Sequence, residues 1–150
     1  MNTKNNKRHL ETMENIEKAV IYLLKEKELD KISVTELCEI AGVERSTFYA
    51  NYEDVSALAN EIAAKIEKQL NDQPHTDGDF AWIFEYIKAN KELFKIYFKL
   101  GISQIKTDYK MIFFRTGVYA VVKMWFEEGC TDSSEEMSSI ILREYNKLRG

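Results

Sequence analysis

Proline occurs once and glycine six times in 150 residues, too few turn formers for an all-β chain of many short strands. The two cysteines, Cys38 and Cys130, lie far apart and share no metal-type spacing with the two histidines. Neither a disulfide framework nor a metal site is therefore expected, and both are read as buried thiols of a reducing cytoplasm. The N-terminus is rich in Asn and Lys and lacks an apolar run, so no signal peptide is expected. The most apolar stretch, 111–126, is interrupted by Arg115 and Lys123, which argues against a membrane span. Also missing are a Gly-rich phosphate loop, a Cys/His cluster, and a serine or cysteine with a His base nearby. These absences predict no enzyme, no catalytic residue, no cofactor and a cytoplasmic protein without a membrane partner.

What is present is helical periodicity. Hydrophobic residues make up 45% and charged residues 31% of the chain, as in ordinary globular proteins. Met13, Ile16, Val20, Leu23 and Leu24 form one stripe of a first helix, from about Arg8 to Lys27. Ahead of it, Lys4, Lys7 and Arg8 read either as a frayed tail or as a basic arm. Ser33 and Glu36 have the spacing of a capping box, with Thr35 an alternative cap. Asp54 follows Glu53 at the start of a longer helix whose stripe is Val55, Leu58, Ile62, Ile66 and Leu70. The segment 71–79 holds the only proline and reads as a linker, with His75 a solvated loop residue.

Between these helices lies the stretch 37–52. Leu37, Ile40 and Ala41 share a helical face, and Gly42 can take the left-handed conformation that stops a helix. Phe48 and Tyr52, four apart, face back into the same small core. Arg45, Ser46, Thr47, Tyr49 and Asn51 point outward, a hydrogen-bonding set without carboxylates. That is the pattern of a helix-turn-helix whose second helix is free to enter a DNA groove. Thr35, Ala41-Gly42-Val43, Thr47-Phe48-Tyr49, Tyr52, and an acidic residue before Leu58 together make this region resemble the DNA-binding head of TetR-type (tetracycline-repressor-like) regulators. The resemblance covers the first third to two-fifths of the chain. It implies an all-α fold: a three-helix helix-turn-helix head (1–55), a connecting helix (54–70) and a C-terminal helical domain (77–150) for ligand binding and dimerisation.

For function, the resemblance implies a homodimer on a palindromic double-stranded operator, with Thr35, Arg45, Ser46, Thr47, Tyr49 and Asn51 as the DNA-binding set. Arg45 is the candidate for base readout, because a guanidinium binds guanine bidentately. Tyr49 and Asn51 match phosphate-contacting positions of the family. Two features run against DNA. Residues 1–57 carry eight basic and eleven acidic side chains, and Val55 stands where the family usually has a lysine beside the groove. Val55 is thus either a lost phosphate contact or a buried staple residue.

The C-terminal half is crowded with aromatic residues. Helices are expected over 80–87, 93–100, 111–126 and from Ser133 onward, broken by Asn90, Gly101 and Gly129. The third is read as a buried helix, and the stripe of the last is Met137, Ile140, Ile141, Tyr145 and Leu148. In the resembling family the last two helices pair with those of a second subunit. The inner helices would then enclose a site for a small apolar effector, lined by Trp82, Tyr86, Phe94, Tyr97, Phe98, Phe114, Arg115 and Tyr119. Arg115 lies within the most apolar helix and needs a partner or an anionic ligand there. The competing reading is a helical module that acts through a protein partner.

Overall fold

A computed structural model describes residues 3–74, 79–102 and 109–149, with side chains between residues 6 and 147 of those stretches. His75 and the side chains of Lys4 and Leu148 lie outside the described residues. The described residues are all-helical, without a strand. Eight α-helices follow in order: α1 (Thr3–Glu26), α2 (Val34–Ala41), α3 (Arg45–Tyr49), α4 (Val55–Asn71), α5 (Ala81–Ala89), α6 (Lys91–Leu100), α7 (Tyr109–Glu127) and α8 (Ser134–Arg149). A short 3-10 turn, Leu29–Lys31, stands between α1 and α2. The helices form two compact units. One comprises Met1–Ala63 with Lys99–Gly101, the other Ala64–Phe98 with Ile102–Gly150, so α4 runs from one into the other.

In the first unit, Ile16, Ala19, Val20, Leu23 and Leu24 are buried along α1, with Met13 half-buried at the edge of the stripe. Because α1 begins at Thr3, Lys7 and Arg8 stand on a helical turn rather than on an arm. The end of α1 is capped by Lys99, whose Nζ donates to the carbonyls of Leu24 (2.7 Å) and Lys27 (3.4 Å). Ser33, and not Thr35, caps α2: its Oγ accepts from the Glu36 N–H at 3.2 Å. The Glu36 carboxylate accepts from Lys27 Nζ at 2.7 Å, tying α2 to the end of α1. Gly42 ends α2 at φ +66°, ψ +36°, a left-handed conformation that strains any residue with a Cβ. The N–H of Val43 then closes the turn on the Cys38 carbonyl at 3.1 Å.

One expectation for α2 is corrected. Ile40 does not join Leu37 and Ala41 in the core but is 44% exposed, and Cys38 takes its place. The buried side of this eight-residue helix is the i, i+1, i+4 edge, and Ile40 lies on the other side of the Leu37–Ala41 row.

In the second unit, Asn90 both ends α5 and opens α6. Its Nδ2 donates to the Tyr86 carbonyl at 2.8 Å, and its own carbonyl accepts from the Phe94 N–H at 3.2 Å. Gly101 (φ +86°) follows α6, and Gly129 (φ +87°) with Cys130 (φ +59°) reverses the chain after α7. The Trp125 indole fixes that reversal by donating to the Asp132 carbonyl at 3.1 Å. A reciprocal capping box starts α8. Ser133 Oγ accepts from the Glu136 N–H at 3.2 Å, and Glu136 Oε2 accepts from the Ser133 N–H at 3.1 Å. These bonds to Ser133 hold the Glu136 carboxyl below its ordinary range.

α7 is a helix, but it is not the buried helix its composition suggested. Only Val122 and Trp125 along it are buried, whereas Tyr109, Met111, Ile112, Phe113 and Met124 are exposed. Neighbouring helices cover the side carrying Val118, Tyr119, Val122 and Trp125. A helix packed from one side leaves its other side to solvent whatever its residues are.

Candidate nucleic-acid interface and ligand cavity

α3 is one and a half turns long, and its orientation is set by what it buries. Phe48 is fully buried and Tyr52 nearly so, their ring centroids 5.6 Å apart. With that edge anchored, Arg45, Ser46 and Tyr49 are exposed and Thr47 is half-exposed. The Arg45 guanidinium lies 5.9 Å from the Tyr49 ring centroid, one helical turn on, so the cation rests on an aromatic face. Asn51 follows the helix and turns its amide back, Nδ2 donating to the Thr47 carbonyl at 2.8 Å. Thr35, on the first turn of α2, is also exposed. The six residues of the expected DNA-binding set thus stand on α2, α3 and the turn after α3, all in the first unit.

Two neighbouring positions are decided by burial. Cys38 is buried beneath the α2–α3 turn; burial pushes its thiol up, with Arg45 pulling the other way. A protonated buried thiol is an inert one. Val55 is 9% exposed in the core of the first unit, one residue after Asp54, whose Oδ1 caps α4 by accepting from the Ala57 N–H at 2.7 Å. Burial makes Val55 a packing residue rather than a vacated phosphate contact. Val55→Lys should therefore lower stability by about 1–2 kcal/mol, since the ammonium must snorkel out of an apolar site. The check is a thermal melt beside DNA-binding anisotropy across a salt series. A variant of unchanged melting temperature and steeper salt dependence would place the position at the phosphates instead.

The second unit contains a cavity of about 280 Å³. Of the residues expected to form an effector site, Trp82, Phe94, Tyr97, Phe98, Phe114, Arg115 and Tyr119 line it. Tyr86 does not; it packs edge-on against Phe94, with centroids 6.1 Å apart, behind the wall. Each helix of the unit but α8 contributes a face: α4 through Glu67, Leu70 and Asn71, α5 through Trp82, Ile83 and Ile87, then α6 and α7. The aromatic rings brace one another edge to face. Tyr119 sits 5.7 Å from both Tyr97 and Phe98, and Phe114 packs on Tyr145 at 5.0 Å.

Glu67 is the residue that sequence reasoning missed. Arg115 Nη2 donates to its Oε2 at 2.7 Å, and the Tyr97 hydroxyl donates to its Oε1 at 2.9 Å. The two charged side chains are 25% and 13% exposed, so the pair is largely desolvated. Burial first, and then Glu67, push the Tyr97 phenol far above its usual range, which keeps it a neutral donor. Tyr119 is raised too, mainly by burial, and its hydroxyl reaches the Phe98 carbonyl only at 3.4 Å. The signal that could have found Glu67 was Arg115 itself, a cation in an apolar helix with a carboxylate required somewhere. Nothing in the spacing says that the carboxylate comes from α4.

Among the described residues no group of His, Cys, Asp and Glu could hold a metal ion, and no helix is long and apolar enough to cross a membrane. No known protein-family model matches this chain, and no curated protein matches it significantly.

Proposed function

We propose that this chain is a TetR-like transcriptional regulator, a sequence-specific DNA-binding repressor acting as a homodimer on a palindromic operator. The observation that carries the reading is the division of α3 into a buried edge, Phe48, and an exposed edge, Arg45, Ser46 and Tyr49, directly after the Gly42 turn. A short helix anchored by one aromatic and presenting a cation, hydroxyls and a phenol has the chemistry of a recognition helix. The net charge of −4 does not weigh against this heavily, since phosphate binding follows the local surface. Dimerisation is supported by the exposed apolar side of α7, and an effector role by the aromatic cavity. A ligand there would act by favouring one spacing of the two recognition helices over another.

The test is selection of bound fragments from genomic DNA by the purified protein, followed by two variants. Arg45→Ala should cost about 1–3 kcal/mol of discrimination at one base pair per half-site. Tyr49→Phe should weaken binding to all sequences alike, because a phosphate contact carries no sequence information. Wild-type behaviour of both variants would remove α3 from the interface. A second reading, a helical module that docks a protein partner, is favoured by the acidic first unit and by Tyr109, Met111, Ile112 and Phe113 standing exposed together. Failure to enrich any DNA fragment would select it.

A further inference from the structure

We propose that the cavity of the second unit selects an uncharged, flat, two-ring aromatic molecule carrying a hydroxyl, and rejects carboxylates and ammonium ions of the same shape. The inference rests on the reading of this cavity as an effector site and adds the chemical class of the effector.

Size comes first. An apolar cavity of about 150 Å³ holds a benzene ring, so 280 Å³ has room for two fused rings. Shape follows from the wall. Phe94, Tyr97, Phe98, Phe114, Trp82 and Tyr119 offer ring faces and edges, which favour a planar π-system over a branched aliphatic one.

Charge is the deciding feature. Among the described residues the cavity wall carries one carboxylate and one guanidinium, Glu67 and Arg115, and they pair with each other at 2.7 Å. An anionic ligand at Arg115 would compete with Glu67 for the guanidinium and set a second negative charge beside that largely desolvated carboxylate. A cationic ligand would have to take Glu67 from Arg115 at the same kind of cost. Breaking a desolvated pair leaves one charge uncompensated, which a single new ion pair does not repay. An uncharged ligand disturbs neither. Its hydroxyl has a partner in Tyr119, whose present bond to the Phe98 carbonyl is long at 3.4 Å and can be exchanged for a better one.

The experiment titrates the full-length protein by calorimetry with 2-naphthol and with 2-naphthoate at neutral pH. The wild type should bind 2-naphthol at least about tenfold more tightly than 2-naphthoate. Glu67→Gln removes the carboxylate that competes with a ligand anion for Arg115 and should narrow or reverse that order by raising 2-naphthoate affinity. Tyr119→Phe should lower 2-naphthol affinity and leave 2-naphthoate unchanged. The double variant Glu67→Gln/Arg115→Gln, which leaves no charge unpaired, should keep the preference for 2-naphthol, and it serves if the single variant does not fold. Equal binding of the two probes by wild type, or no binding of either at millimolar concentration, overturns the proposal. Operator binding measured on the same samples separates the two readings. DNA binding without 2-naphthol binding sinks this inference alone, and 2-naphthol binding without DNA binding sinks the regulator instead.

Discussion

If the proposed homodimer forms through α7, Phe113→Glu should turn it into a monomer in sedimentation at micromolar concentration, and lower affinity for the proposed operator by at least about 100-fold. Phe113 is 71% exposed on α7, and Tyr109 on the same side of the helix is 92% exposed. Along the stripe that runs from Phe113 through Gly117 and Ala120 to Met124, every residue is exposed. The middle of that stripe is small, which lets a second helix approach closely, and its ends are large and apolar, which gives the approach its driving force. Ile140 on α8 adds to the exposed apolar surface. A glutamate at position 113 would place two carboxylates in a two-fold contact, where each must be desolvated near the other. Because Phe113 touches little within its own chain, circular dichroism and the melting curve of the monomer should stay close to wild type. The same charge at Ile141 would be no test of the interface: that residue is 4% exposed inside the second unit, so a charge there unfolds the unit first. A wild-type protein already monomeric at micromolar concentration, or a Phe113→Glu dimer, would remove this face from the assembly.

Arg115→Met should destabilise the protein by about 3 kcal/mol, a large share of what a domain of this size has. The loss comes less from the missing bond than from what stays behind, a Glu67 carboxylate 13% exposed that has lost the guanidinium 2.7 Å away. Adding Glu67→Gln to the same chain should recover most of the loss, since an amide costs far less to bury than an ion. Urea denaturation of the two single variants, the double variant and wild type gives the coupling energy directly. Additive losses would mean that water reaches Glu67 freely and that the pair contributes little. That outcome would also weaken the case for charge selection in the cavity, because the selection depends on the same desolvation.

The helices were legible in the sequence because each signal for them is local. The stripe of α1, the Gly42 stop, the Ser33 cap, the Asn90 break and the Ser133–Glu136 box depend on spacings of one to four residues, and backbone geometry reads those spacings the same way in any fold. The outward set on α3 was legible in part for the same reason, since fixing Phe48 inward turns Ser46 and Tyr49 away from the core; Arg45, three residues before Phe48, is exposed on the first turn of α3. What the sequence could not decide was which side of an apolar helix meets a neighbour. Ile40 and Phe113 are as apolar as Leu37 and Phe114, and periodicity alone places Ile40 in the core and α7 in the interior. Whether a residue is covered depends on where the other helices pass, and that is a long-range matter. Val55 shows the converse: the motif left open a lost phosphate contact or a buried staple residue, and burial favours packing. The Glu67–Arg115 pair spans α4 and α7, and no spacing links residues so far apart in the chain. Composition set the need for a counter-charge within an apolar helix; only packing chose the carboxylate that meets it.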